Sequence, residues 1–201
     1  MHKKFVGQFS LISVVVCCLV NNAAAQELMG PPPPPRPSDF SLELALRAAQ
    51  ASLAECDKID EKVTVAVVDR SEHIRVLLVS DGGYNIDWLH AVQGQARVVL
   101  KTGMSSGEYG KSFNGDYGKI ADAITADRVQ QMKPGATPIP MLVTPGAVPI
   151  MKAGVMVGAV SVAGNSPKGT RFGYEYMGPV ETCAVAGRNV IEAGIKDKKS
   201  N

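Results

Sequence analysis

Apolar and polar positions recur along this chain with two different periods, and the changes of period mark its elements. Ser41 is suited to cap a helix. After it, Leu42, Ala45, Leu46, Ala49, Ser52, Leu53 and Cys56 fall on one helical stripe of mostly small residues, shaped for close packing on a sheet. Two strands follow, Val63–Asp69 and Ile74–Ser80, around a tight turn at Arg70, Ser71 and Glu72. Asp81-Gly82-Gly83 breaks the pattern. A second helix is expected from about Asp87 to Lys101, with Leu89, Val92, Ala96 and Val99 inward and His90, Gly94, Arg97 and Lys101 on another face.

From Gly103 to Gly118 the chain is rich in Gly, Ser and Tyr, which predicts a loop. Tyr117 to Gln131 reads as a third helix with Ile120, Ala123 and Ile124 inward. Pro134 to Pro149 is interrupted by prolines and is expected to be extended, at an edge or rim. Gly146 to Gly164 reads as two strands around a turn at Ala153-Gly154. The second, Val155 to Val162, contains Gly158, and glycine inside a strand marks a bend or a close backbone approach. Asn165 to Gly178 is a loop carrying Arg171, Phe172, Tyr174 and Tyr176. A last helix begins near Pro179, with Val180, Cys183, Gly187, Val190, Ile191 and Gly194 inward. Strands grouped in hairpins, with helices between the groups, predict an α+β antiparallel sheet. No strand leads into a GxGxxG helix start, which disfavours a dinucleotide fold.

The ends read differently. Lys3 and Lys4 precede an apolar run from Phe5 to Val20, and Ala23-Ala24-Ala25 supplies small residues for cleavage. Residues 1–25 are therefore expected to be a secretory signal peptide, and the protein to be exported, periplasmic or secreted. The run is short for a membrane span and ends in Asn21-Asn22, so no stable span is expected after cleavage. Residues 26–37, with Pro31 to Pro35 and Pro37, form a stiff tether; residues 38–195 form the domain, and residues 196–201 a charged tail.

Removing the signal changes the charge. The whole chain has 21 Lys and Arg against 19 Asp and Glu. The signal holds Lys3 and Lys4 and no acid, which leaves 19 against 19. A neutral domain has no electrostatic case for nucleic acid or anionic membrane. Of the four cysteines, Cys17 and Cys18 lie in the signal. Cys56 and Cys183 remain, as a disulfide or as two buried thiols, in a spacing that fits no zinc motif.

Beyond the signal the chain has two histidines, His73 and His90, no GxSxG elbow and no cysteine in a catalytic motif. A hydrolase of familiar mechanism is disfavoured. His73 follows the turn after Asp69. It is either structural or an iron ligand, since one neutral imidazole at a pocket mouth suffices for haem. His90 stands near Gly94 and Arg97. Gly94 would let a flat ligand approach the helix, and Arg97 and Lys101 would meet carboxylates; the alternative is a solvated helix face. Tyr84, Tyr109, Tyr174, Met132 and Met141 are further candidates to ligate iron or to pack on a macrocycle.

Val65-Ala66-Val67-Val68-Asp69, His73, Gln95-Ala96-Arg97, Val148-Pro149-Ile150 through Gly164, and Glu181 to Gly187 together resemble the GlcG/HbpS-like haem-binding proteins, over roughly Phe40 to Ala193. The resemblance implies a profilin-like architecture, an antiparallel sheet with the terminal helices on one face and the middle helices on the other. It implies homo-oligomers and, in some members, haem. It favours His73 as the metal ligand; His90, which is less typical of the family, Arg97 and Tyr109 are further cofactor-binding candidates from the residues themselves. By placing the terminal helices side by side it brings Cys56 and Cys183 together, for a bond if their heights match. Two departures stand out. The family's Gly-Gly before the histidine is Ser71-Glu72, and its usual Lys before Ala-Arg is Gln95.

The leading expectation is an exported haem-binding protein for haem storage, buffering or delivery, rather than an enzyme. The alternatives are a small-acid-binding accessory subunit of an oxidoreductase system, and an enzyme on a small metabolite with Asp69 and His73 as acid–base pair.

Overall fold

The computed structural model of the chain describes residues 38–83, 86–114, 116–132, 139–165 and 178–197. The chain divides into two units, residues 1–37 and residues 38–201. The expected signal peptide and tether make up the first and lie outside the described residues, as does the Asn165–Gly178 loop beyond its first residue up to residue 177.

The second unit is α+β. Helix α1 (Leu42–Asp57) precedes strands β1 (Lys62–Asp69) and β2 (Ile74–Val79). Helices α2 (Ile86–Thr102), α3 (Ser106–Ser112) and α4 (Tyr117–Gln131) follow, then β3 (Ala147–Lys152), β4 (Val155–Asn165) and α5 (Gly178–Asp197). The strands form one antiparallel sheet in the order β2-β1-β4-β3. The terminal helices α1 and α5 cover one face and α2 covers the other.

The alternation of each strand decides which face it feeds. In β1, Val63, Val65 and Val67 point to α1 and α5, while Ala66 and Val68 point to α2. In β4, Val160 and Val162 face the terminal helices, and Ala159 and Ala163 face α2. One face is thus built of valine and isoleucine and the other largely of alanine, so α2 lies close on the sheet. Gly158 makes a close approach of the kind its place in a strand predicts: a β-carbon there would run into the carbonyl oxygen of Val68 and lie 3.1 Å from Phe40. Both central residues of the β3–β4 turn, Ala153 and Gly154, have positive φ, at 51° and 80°.

The structure corrects several expectations. The stripe of α1 is rotated: Leu42 and Leu46 are exposed, and Leu44, Ala45, Ala48, Ala49, Ser52 and Cys56 are buried. The expected loop from Gly103 contains α3. Its start is fixed by a capping box, in which Ser105 Oγ accepts from Glu108 N and Glu108 Oε2 accepts from Ser105 N. The composition of Gly, Ser and Tyr hid this S-x-x-E signal. Helix α5 runs through Lys196 to Asp197, where a tail was expected. Of the two states left open for Cys56 and Cys183 the structure shows the disulfide, between α1 and α5, with Cα atoms 5.4 Å apart. Among the described residues no helix is long and apolar enough to cross a membrane.

Candidate functional site

The β1–β2 turn is built on Asp69. Its side chain is 4% exposed, and Oδ1 accepts hydrogen bonds from Ser71 N at 2.9 Å and His73 N at 3.1 Å. These bonds wrap the turn around the carboxylate. Asp69 Oδ2 lies 3.5 Å from His73 Nδ1 and 3.7 Å from Arg75 Nη1. Asp69 and His73 therefore do come together, as an acid–base pair requires. The carboxylate, however, is buried and already engaged on both oxygens. His73 is 60% exposed and stands out from two hydrogen-bonded strands.

Glu72 occupies the position where the resembling family has glycine, and its φ is +67°. A side chain in this left-handed region costs about 1 kcal/mol. The turn keeps the glycine conformation without the glycine. The Glu72 side chain reaches the guanidinium of Arg97.

Arg97 sits in the middle of the helix-covered layer, 8% exposed at its side chain. Nε donates to Asp127 Oδ2 at 2.8 Å and Nη2 to Asp127 Oδ1 at 2.9 Å, a bidentate pair, while Nη1 meets Glu72 Oε2. Gln131 Nε2 braces Asp127 Oδ2 at 2.7 Å and also donates to Ile139 O. Lys101 Nζ is 3.9 Å from Glu72 Oε1. Burial works to lower the arginine's pKa. The hydrogen bond to Asp127 and the charges of Glu72 and Asp127 outweigh it and raise the pKa above the ordinary value. Arg97 is thus a fixed cation engaged by two carboxylates, and a ligand's carboxylate reaches it by displacing one of them.

Two neighbours on α2 depart from the sequence reading. Gly94 does not open the helix to a ligand. A β-carbon there would lie 2.6 Å from the carbonyl oxygen of Pro140 and 3.0 Å from Leu142, so the chain's own segment fills that space. Gln95, at the position where the resembling family usually has lysine, is fully buried. Its Nε2 donates to Thr144 Oγ1 at 3.0 Å and Pro145 O at 3.1 Å, and its Oε1 accepts from Ser161 Oγ at 3.1 Å. It ties α2 to the sheet and to the irregular segment that leads into β3.

The remaining candidates scatter. His90 is exposed on α2. Tyr109 is half-buried on α3, its ring edge-on to Phe113 at 4.9 Å, against a small core of Val98, Ile120, Met141 and Val143. Met141 belongs to that core and Met132 is exposed. Tyr84 and Tyr174 lie outside the described residues. Among the described residues no group of three or more His, Cys, Asp and Glu side chains could hold a metal ion. A depression of about 30 Å³ lies between the turn and α2, lined by Val68, Ile74, Ala96 and Leu100, with Glu72 and Arg97 at its polar end. That is room for a water or two and not for a tetrapyrrole.

Sequence reasoning missed Asp127 and Gln131. A signal existed: the inward stripe of α4, from Ile120 through Ile124, continues onto both. A carboxylate on a buried stripe calls for a buried cation.

A family model described as haem degrading protein HbpS-like matches residues 40–169. A crystal structure of HbpS shares 24% identity, with 81% of this chain and 97% of that one covered at a TM-score of 0.57. A double mutant of HbpS from Streptomyces reticuli gives 25% identity, coverage of 81% and 98%, and a TM-score of 0.55. A complex of PduOC with haem shares the fold at 12% identity, coverage of 76% and 94%, and a TM-score of 0.50. No curated protein matches the chain by sequence.

Proposed function

The chain belongs to the HbpS-like family, and from that premise we propose that it is an exported haem-binding protein, acting in haem storage, buffering or delivery, and working as a homo-oligomer. The observation that carries this is the family match across most of the folded unit. The exposure of His73 supports it locally. An imidazole on a rigid hairpin, with its Nδ1 side turned to a buried carboxylate, presents Nε2 outward as an axial ligand would. The described residues beside the hairpin leave only the small depression next to Glu72 and Arg97, so haem would rest on the hairpin itself. When bound, the haem would supply the iron chemistry; this chain's residues hold and orient it.

The test is a haem titration of the mature protein followed through the Soret band. His73→Ala is expected to shift the Soret maximum and weaken binding by about tenfold or more, roughly 1.4 kcal/mol. His90→Ala is expected to leave both unchanged. An unaltered spectrum and affinity in His73→Ala removes His73 as the ligand. The family description favours a second reading, degradation of the bound haem. Decay of the Soret band under a reductant together with dioxygen, which supplies the oxidant for ring opening, with release of iron, separates it from storage.

A further inference from the structure

Glu72 lies where a ligand's carboxylate would lie. Asp127 takes two nitrogens of the Arg97 guanidinium, the Nε/Nη2 edge, in a bidentate pair, and Glu72 takes the remaining nitrogen. The two carboxylates are held in different ways. Asp127 is 5% exposed and braced by Gln131, while Glu72 is 44% exposed, at a hairpin tip, on a backbone with φ of +67°. Charge holds Glu72 in place, and packing does not. Turning it outward would leave Arg97 and Lys101 facing Asp127 alone, a surplus of one positive charge. It would also open the apolar depression of Val68, Ile74, Ala96 and Leu100.

We propose that Arg97 and Lys101 form a carboxylate-binding site for which Glu72 is the resident occupant, and that the ligand is a short carboxylate arm on an apolar stem, entering as Glu72 leaves. The stem lies on Ala96 and Leu100, and the carboxylate takes the Arg97 Nη1 contact. The arm has two chemical sources, a free short-chain carboxylic acid or the propionate of a tetrapyrrole. The inference does not rest on haem binding, because the first source needs no haem.

The experiment titrates the mature wild-type protein, Glu72→Gly and Glu72→Gln with propionate by calorimetry, with propionamide as the neutral control. Glu72→Gly relaxes the turn and empties the site, so it is expected to bind propionate at least about tenfold more tightly than wild type. Glu72→Gln, which keeps the bulk and loses the charge, falls between them, and propionamide binds none of the three. Equal propionate affinity in wild type and Glu72→Gly overturns the proposal and makes Glu72 a structural latch. So does binding of propionamide as tight as that of propionate. A second arm compares haem with haem dimethyl ester. A gain in Glu72→Gly for haem but not for the ester assigns the arm to the tetrapyrrole. Equal behaviour of the two, with the propionate gain present, assigns it to the free acid. Propionate binding in a protein that takes up no haem supports this site while removing the haem reading.

Discussion

The two faces of the sheet are held by different physics. Beneath α1 and α5 lies a continuous core of Val63, Val65, Val67, Ile150, Val160, Val162 and Ile191, closed by the Cys56–Cys183 bond. Beneath α2 the sheet offers mainly alanine, and specificity comes from polar pins: Gln95 to Ser161 and Thr144, and Arg97 to Asp127 and Glu72. Apolar burial is non-directional and tolerates little rearrangement in a dense core. A polar pin is directional, and one of its partners can be exchanged for another group of the same charge. The first face stores stability, and the second is where a ligand can compete with the chain.

The largest expected effect tests the locked face. Replacing both cysteines, Cys56→Ser with Cys183→Ser, frees a loop set by their separation of 127 positions and should lower unfolding stability by about 5 kcal/mol on chain entropy. Guanidinium unfolding of the double variant, and of wild type with and without reductant, measures it. A loss below about 1 kcal/mol would mean that packing alone holds this face.

A smaller loss tests the pinned face. Asp127→Ala strands a buried guanidinium and should cost about 3 to 5 kcal/mol, whereas Glu72→Gln, at an exposed carboxylate, should cost about 1 kcal/mol or less. Equal losses in the same unfolding assay would erase the distinction between the fixed and the exchangeable partner of Arg97.

The smallest effect is a local one at α4. Asp116 caps that helix, and its Oδ1 accepts from Lys119 N at 3.1 Å. That hydrogen bond holds its carboxyl below the ordinary aspartate range. The folded pKa is depressed, so the contribution is present at neutral pH and is lost as pH falls through the folded pKa, in acid. Asp116→Asn keeps a capping oxygen and should flatten this part of the acid dependence of helicity, read by circular dichroism. An unchanged acid profile would show that the cap does not titrate there.

The fold was legible because its information is local. The Val-x-Val alternation of β1, the Ala153-Gly154 turn and the stripes of α2 and α5 each sit within a few residues of one another. The candidate site was legible only in part. His73 was singled out because it follows a turn, and the structure sets it beside Asp69 on that turn. Arg97 was singled out as a possible anion contact, but its partners come from 25 and 30 positions away, and no periodicity in α2 points to them. The turn geometry at Glu72 was hidden for another reason. The left-handed backbone is recognised by glycine, and here a charged contact across the layer stabilises it in a residue that disfavours it.

One bond also changes what a break in the chain means. With Cys56 joined to Cys183, the whole sheet and helices α2, α3 and α4 lie inside a single covalent ring. A protease that cuts at exposed Gly103 or Met104 opens the ring without releasing a fragment. The nicked molecule gains one water and keeps both of its halves, and only a reductant together with denaturation separates them.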